Sequence, residues 1–251
     1  MKFRGEKMTI LKRLSALCVV SIITVSMVMG QSAGSGQEMS VEESYLLESM
    51  ELIIIREQSR TDSRDQKQMA LRYIGDAISR GNTGEEIRSA LEYLALEGVI
   101  NQTRENGRLV NNFSDIRKQA VTYLGDLGTV EAKNTLIKVL LADPEPMVLQ
   151  EAVKSLAKTG INDNDETVAA IAWIVTRFDV LNPDNLLALS AVDAFEKFAS
   201  ANNGIRDPNV IRVLLRISEG SYIKPVQERA KRVIADLRKY SVQNAQNAGR
   251  Q

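Results

Sequence analysis

The chain has 251 residues with 32 basic and 32 acidic side chains, no histidine, one cysteine and 5% aromatics. Without histidine there is no Ser-His-Asp or Cys-His catalysis, no histidine zinc site and no histidine pH switch, and a lone cysteine excludes an internal disulfide or a CxxC site. A formal charge of zero argues against a surface that grips nucleic acid throughout.

The first segment, Met1–Arg13, carries Lys2, Arg4, Lys7, Lys12 and Arg13 against a single Glu6. A charge-free run rich in Val, Ile, Leu and Met follows from Leu14 to Met29, then Gly30 and a small, polar spacer to Gln37. A basic start, an apolar middle and a small-residue exit are the parts of a secretory signal peptide. Residues 1–30 are therefore expected to be the signal and 31–37 a linker, with cleavage after Gly30 and Ala33 as the second site. The alternative, an uncleaved membrane anchor, calls for about 20 apolar residues, and this run is shorter. A lipoprotein reading founders on Leu17, which stands where a small residue should precede Cys18. Removing residues 1–30 leaves 27 basic and 31 acidic side chains and neither cysteine nor histidine. A disulfide-free exported chain points to the periplasm or cell envelope of a bacterium. Membrane contact is expected only if the N-terminal segment is retained.

Past the spacer, apolar residues recur at helical spacing and strand signals are scarce. The first long helix is expected over Glu38–Gln58, with Met39, Tyr45, Leu46, Met50, Ile53 and Ile54 on its apolar side. Thr83 and Glu86 read as a capping box, while Asn182-Pro183 and Asp207-Pro208 set a capping side chain before a first-turn proline. All five prolines punctuate helices rather than interrupt them, and Gly81, Gly98, Gly128, Gly160, Gly204 and Gly220 stand where helices should stop.

The chain then repeats itself. Ala70-Leu-Arg-Tyr-Ile-Gly-Asp76 reappears as Ala120-Val-Thr-Tyr-Leu-Gly-Asp126, and weaker copies begin at Ala152, Ala191 and Ala230. Successive anchoring alanines are 50, 32, 39 and 39 residues apart. Each copy follows another amphipathic stretch: Glu38–Gln58, Glu85–Glu97, Val130–Leu141, Asp165–Phe178 and Pro208–Ser218. An alanine lets the neighbouring helix approach, and a large residue four positions on (Ile74, Leu124, Leu156, Phe195, Ile234) fills the layer beneath. A fold of about five helical hairpins over residues 38–240 results, with a polar tail at 241–251 expected to be disordered.

At these residues the chain resembles the HEAT-repeat family, in its short bacterial form. Ile116-Arg117-Lys118-Gln119-Ala120 through Leu124-Gly125-Asp126-Leu127-Gly128 is similar to that family's inner-helix pattern, and Asp143-Pro-Glu-Pro-Met-Val148 to its turn into the helix. The resemblance implies an all-α, right-handed α-solenoid of HEAT-like hairpins whose inner helices line a concave side. The fourth and fifth repeats lack the arginine and the terminal glycines of the pattern, and there periodicity carries the reading. The variable spacing and the position of Trp173 argue against tetratricopeptide repeats.

Chemistry is sparse. Metal enzymes among such proteins use His-Glu pairs, which this chain cannot supply, and a net acidic mature chain disfavours phosphate-driven nucleic-acid binding. Asp163-Asn-Asp165-Glu166 lacks the glycine and terminal glutamate of a calcium loop, so Asp163 or Asp165 is expected to cap the next helix. No catalytic residue, metal ligand or cofactor is assigned. Two places remain as partner-binding candidates. One is the column two residues after each anchor: Arg72, Thr122, Lys154, Asp193 and Arg232, with Tyr73 and Tyr123 beside it, a mixed groove leaning basic if the column is open to solvent. The bland alternative is a solvated helix face with the tyrosines packed between repeats. The other is the insertion Val99–Asn112 revealed by the 50-residue spacing, where Asn106-Gly107 favours a small hairpin presenting Arg104, Asn106 and Arg108. The favoured function is a non-enzymatic scaffold in the envelope that binds another protein or an assembly. The alternative is an enzyme or ligand-binding protein using carboxylates or tyrosines on the same scaffold.

Overall fold

The computed structural model describes residues 40–248; the expected signal peptide and linker lie outside the described residues. The chain divides into two compact units, Met1–Leu47 and Glu48–Gln251. The first contributes only the opening turns of helix α1 to the described part, and the repeats lie in the second. Along the described chain run α1 (Val41–Arg60), α2 (Arg64–Ser79), α3 (Glu85–Ala95), β1 (Arg104–Glu105), β2 (Arg108–Leu109), α4 (Ser114–Leu127), α5 (Val130–Ala142), α6 (Pro146–Thr159), a 3-10 turn (Asp163–Asp165), α7 (Glu166–Leu181), α8 (Asn185–Ala201), α9 (Pro208–Glu219) and α10 (Lys224–Ala248). This is an all-α solenoid.

Within the second unit the helices pack in two layers. The anchor-bearing helices stack in sequence, α2 on α4, α4 on α6, α6 on α8 and α8 on α10, while α3, α5, α7 and α9 stack likewise beside them. Each anchor is sealed from water: Ala70, Ala120, Ala152, Ala191 and Ala230 are fully buried. So are Ile74, Leu124, Leu156 and Phe195, with Ile234 in the last repeat nearly so. One continuous core therefore runs the length of the stack, as expected where no hairpin can bury both its faces alone. A close approach occurs at Gly125 of α4, where a Cβ would lie 2.7 Å from the Cβ of Ser155 on α6.

Helix ends follow local chemistry, with three departures from expectation. Ser63, Thr129, Asp184 and Asp207 cap α2, α5, α8 and α9, and Pro208 opens α9. Thr83 forms no capping box, because α3 starts at Glu85 behind Gly84, whose amide donates to Asn82 Oδ1 at 3.2 Å. Asn182 ends α7, and Asp184, beyond Pro183, caps α8 by accepting from the amides of Leu186 and Leu187. Asp165 does not cap α7 with its side chain; its Oδ2 accepts instead from the amides of Arg206 and Asp207 at 3.0 and 3.1 Å. That carboxylate ties the start of one outer helix to the approach of the next. Asp179 makes a second such tie, accepting from the Tyr222 hydroxyl at 2.9 Å and pairing with Arg216 at 2.7 Å. The last helix continues to Ala248, past the boundary at 240 set by composition, through a stretch without proline or glycine that holds helix-tolerant Gln and Ala.

Gly125→Ala tests the close approach. In an open helix the change would gain up to about 1 kcal/mol in propensity. Here the clash with Ser155 should reverse the sign, with a loss of about 1–3 kcal/mol in urea unfolding. A stabilised variant would show that α4 and α6 are not so close.

Candidate functional site

The insertion Val99–Asn112 folds as its Asn-Gly pair predicts. β1 and β2 pair antiparallel, Arg104 opposite Leu109 and Glu105 opposite Arg108, and Asn106 and Gly107 both take positive φ (49° and 80°) as a tight hairpin turn requires. Arg104, Asn106 and Arg108 are all exposed at this tip. Arg104 is steadied by the Gly107 carbonyl and by Gln102 Oε1, at 3.4 and 3.1 Å.

Beneath the tip lies a buried polar base. Asn111, only 1% exposed, accepts from the Thr103 amide at 2.9 Å and donates to the Asn101 carbonyl at 2.8 Å and to Glu97 Oε1 at 3.4 Å. Its backbone presses on Gly98, where a Cβ would meet the Asn111 carbonyl oxygen at 2.5 Å and φ is +73°. Only glycine meets both demands there. Arg117, fully buried on α4, holds both ends of the insertion: its Nη1 donates to the Asn112 side chain at 2.7 Å and to the Glu97 carbonyl at 3.4 Å. Its Nε and Nη2 form a fork on Asp143, at 2.7 and 3.4 Å. Asp143 in turn accepts from the Glu145 amide ahead of α6.

A second buried pair stands one repeat earlier. Lys67 Nζ lies 2.6 Å from Glu97 Oε1, donates to the Ser59 carbonyl at 3.0 Å and sits 5.5 Å from the centre of the Tyr93 ring. Glu97 Oε2 is buried with no hydrogen-bond partner. Burial pushes the Glu97 carboxyl above the usual carboxylate range, against the pull of Lys67 and Asn111. Lys67 and Arg117 each stand three residues before an anchoring alanine, and each reaches into the turn of the following repeat.

The other candidates do not converge. Arg72, Lys154 and Arg232 are exposed on α2, α6 and α10. Tyr73 and Tyr123 are half-buried against the core, and the Tyr123 ring packs on Gly75 while its hydroxyl accepts from Gln119 at 3.3 Å. Thr122 donates to Glu151 at 3.0 Å, and Asp193 accepts from Arg229 at 2.9 Å. Arg64 with Asp115, Lys158 with Asp126 and Arg229 with Glu196 pair charges between successive inner helices. The inner-helix face thus carries charge pairs between repeats, with Arg72, Lys154 and Arg232 exposed along it. Sequence reading overlooked Lys67, Glu97, Asn111 and Asp143. Lys67 was findable by aligning the repeats on their alanines, but its partner, 30 residues on, was not.

Residues 108–189 match the family model for HEAT repeats. These residues carry HEAT repeats. The matched segment runs from β2 through α4, α5, α6 and α7 into α8, and the same two-layer packing continues on either side of it. No curated protein matches the chain. HEAT repeats serve as protein-interaction scaffolds, since stacked hairpins offer a long surface of adjustable composition.

Arg117→Met should lower stability by about 3–5 kcal/mol, because Asp143 is left charged and buried without its partner. Circular dichroism on urea titration measures it, and a loss under about 1 kcal/mol would show that water reaches Asp143. The Glu97 shift predicts a pH effect of definite sign. With its folded pKa raised, the native state binds more protons than the unfolded chain between the unfolded and folded values. Stability from this group therefore falls as pH climbs through that window. Glu97→Gln should remove that component of the pH slope, and an unchanged slope would exonerate Glu97.

Proposed function

We propose that this protein is a non-enzymatic scaffold exported to the bacterial cell envelope, where the hairpin tip of Arg104, Asn106 and Arg108 provides the contact specific to its protein partner. The supporting observation is the construction of the hairpin's base. Two buried ion pairs and Asn111 hold the insertion at both ends, although burying such charges gives little stability over apolar residues of the same size. What they do provide is a fixed stem beneath an exposed polar tip. Preorganisation of that kind lowers the ordering cost of binding. An insertion merely tolerated between repeats would need no such clamp. The envelope address is supported by the basic, apolar and small-residue order of residues 1–30.

A photo-crosslinking residue at Asn106, in the native host, should give one dominant protein adduct. The same residue at the exposed Asn134 of α5 should give none. The double variant R104E/R108E should abolish the adduct while its unfolding free energy stays within about 0.5 kcal/mol of the parent. Equal adducts at both positions, or an adduct indifferent to the arginines, would remove the hairpin from this role. Intact mass of the exported protein tests the address: a chain beginning at Gln31 is expected, and retention of Cys18 contradicts cleavage.

A further inference from the structure

The first and last helices of the described chain are finished differently. Aligned on the anchoring alanines, α10 carries Gln227 and Lys231 where α8 carries the buried Ala188 and Val192. Gln227 is half-buried and Lys231 exposed. A polar outer face of that kind closes a solenoid to further stacking. Helix α1 lacks such a finish. Met50 and Ile53 are 58% and 52% exposed, and Leu46, one turn earlier on the same helix, is 64% exposed. These three follow i, i+4, i+7 and share one side of α1. Leu52 and Ile55, on the opposite side, pack into the core. Helix α1 is thus apolar on two sides, and its own repeats cover one of them.

The chemistry of the chain narrows what can cover the other. In the exported form proposed above, residues 31–40 hold one large apolar side chain, Met39, and residues 241–251 hold one, Val242. Neither segment matches a stripe of three. A membrane is a poor fit as well, because α1 carries five acidic and two basic side chains, whereas helices that settle on anionic bilayers are rich in Lys and Arg. A second α1 suits both the stripe and the charge. With the two helices antiparallel, Met50 of one copy faces Ile53 of the other. The acidic start of each helix, at Glu42, then lies beside the basic last turn of its partner, at Arg60. Glu42 and Arg60 are exposed, and neither is in an ion pair among the described residues. Other acids of α1 are engaged within the chain: Asn82 donates to Glu48, and Arg80 pairs with Glu51. We propose that two copies of the chain associate through this side of α1 as an antiparallel, twofold-symmetric pair. A twofold contact closes on itself, so the assembly stops at a dimer. It is independent of the hairpin, and either can fail alone.

The test is sedimentation equilibrium of the exported chain, whose start at Gln31 is checked by intact mass so that residues 14–29 are not an alternative cover. A monomer–dimer equilibrium with a dissociation constant on the order of micromolar is expected. M50E/I53E should raise that constant by about a hundredfold or more. R60E should raise it by about tenfold, since two symmetric pairs turn repulsive, and E42R/R60E should restore it. All of these variants change exposed positions and should melt with the parent. The proposal is overturned if the chain stays monomeric at every concentration or if M50E/I53E dimerises like the parent. It is also overturned if R60E dimerises like the parent, or if E42R/R60E is no better than R60E. Vesicles containing phosphatidylglycerol that recruit the parent but not M50E/I53E, with no dimer in solution, would assign the stripe to a membrane and overturn it too. A monomeric chain that keeps its crosslink at Asn106 separates failure here from failure of the hairpin.

Discussion

Successive inner helices must approach closely if any of these hairpins is to have a core, and that constraint organises the rest. A lone helical pair exposes one apolar face, so each repeat is completed by the next. The five sealed alanines set the spacing, and the large residue one turn later occupies the space the alanine leaves open. At the α4–α6 contact even an alanine would be too large, and Gly125 meets Ser155 there. Where helices lie this close, side chains at the edges of the contact are driven into pairs. Arg64 with Asp115, Lys158 with Asp126 and Arg229 with Asp193 are the outcome. These pairs are partly exposed and individually contribute little, but they set the register of one helix on its neighbour.

Close stacking also explains why strong charges lie inside. Lys67 and Arg117 occupy the same place in consecutive repeats, where the helix dives beneath the next turn. Both find their carboxylate in that turn, Glu97 for one and Asp143 for the other. The later repeats abandon the device, with Leu149 and Ala188 at the corresponding positions, both buried. The two ion pairs with both partners buried thus both flank the insertion. Arg117 joins the two ends of that insertion as well as the following repeat, so a single side chain couples the presented hairpin to the solenoid's spacing.

Much of this is legible in the sequence. The recurrence of Ala120-Val-Thr-Tyr-Leu-Gly-Asp126 identified the repeats, and the 50-residue gap exposed the insertion. Asn106-Gly107 foretold its turn, since that pair readily takes the positive φ the turn needs. Caps proved less legible. Thr83, Asn182 and Asp165 each had a competing residue or a distant amide within reach, and a cap forms where geometry allows rather than wherever an oxygen is available. Tyr123 packs on Gly75, as the reading with the tyrosines between repeats has it, because the face a half-buried aromatic turns outward depends on how near the previous helix lies.

The sequence by itself determined the helices, their pairing into hairpins, the alanine anchors and the hairpin turn, because each follows from spacing along one stretch of chain. Tertiary structure alone decided which charges meet. Lys67 and Glu97 are 30 residues apart, and Arg117 and Asp143 are 26 apart. Pairings across such separations depend on inter-helix distance and on the direction of each turn, neither of which is encoded in local periodicity.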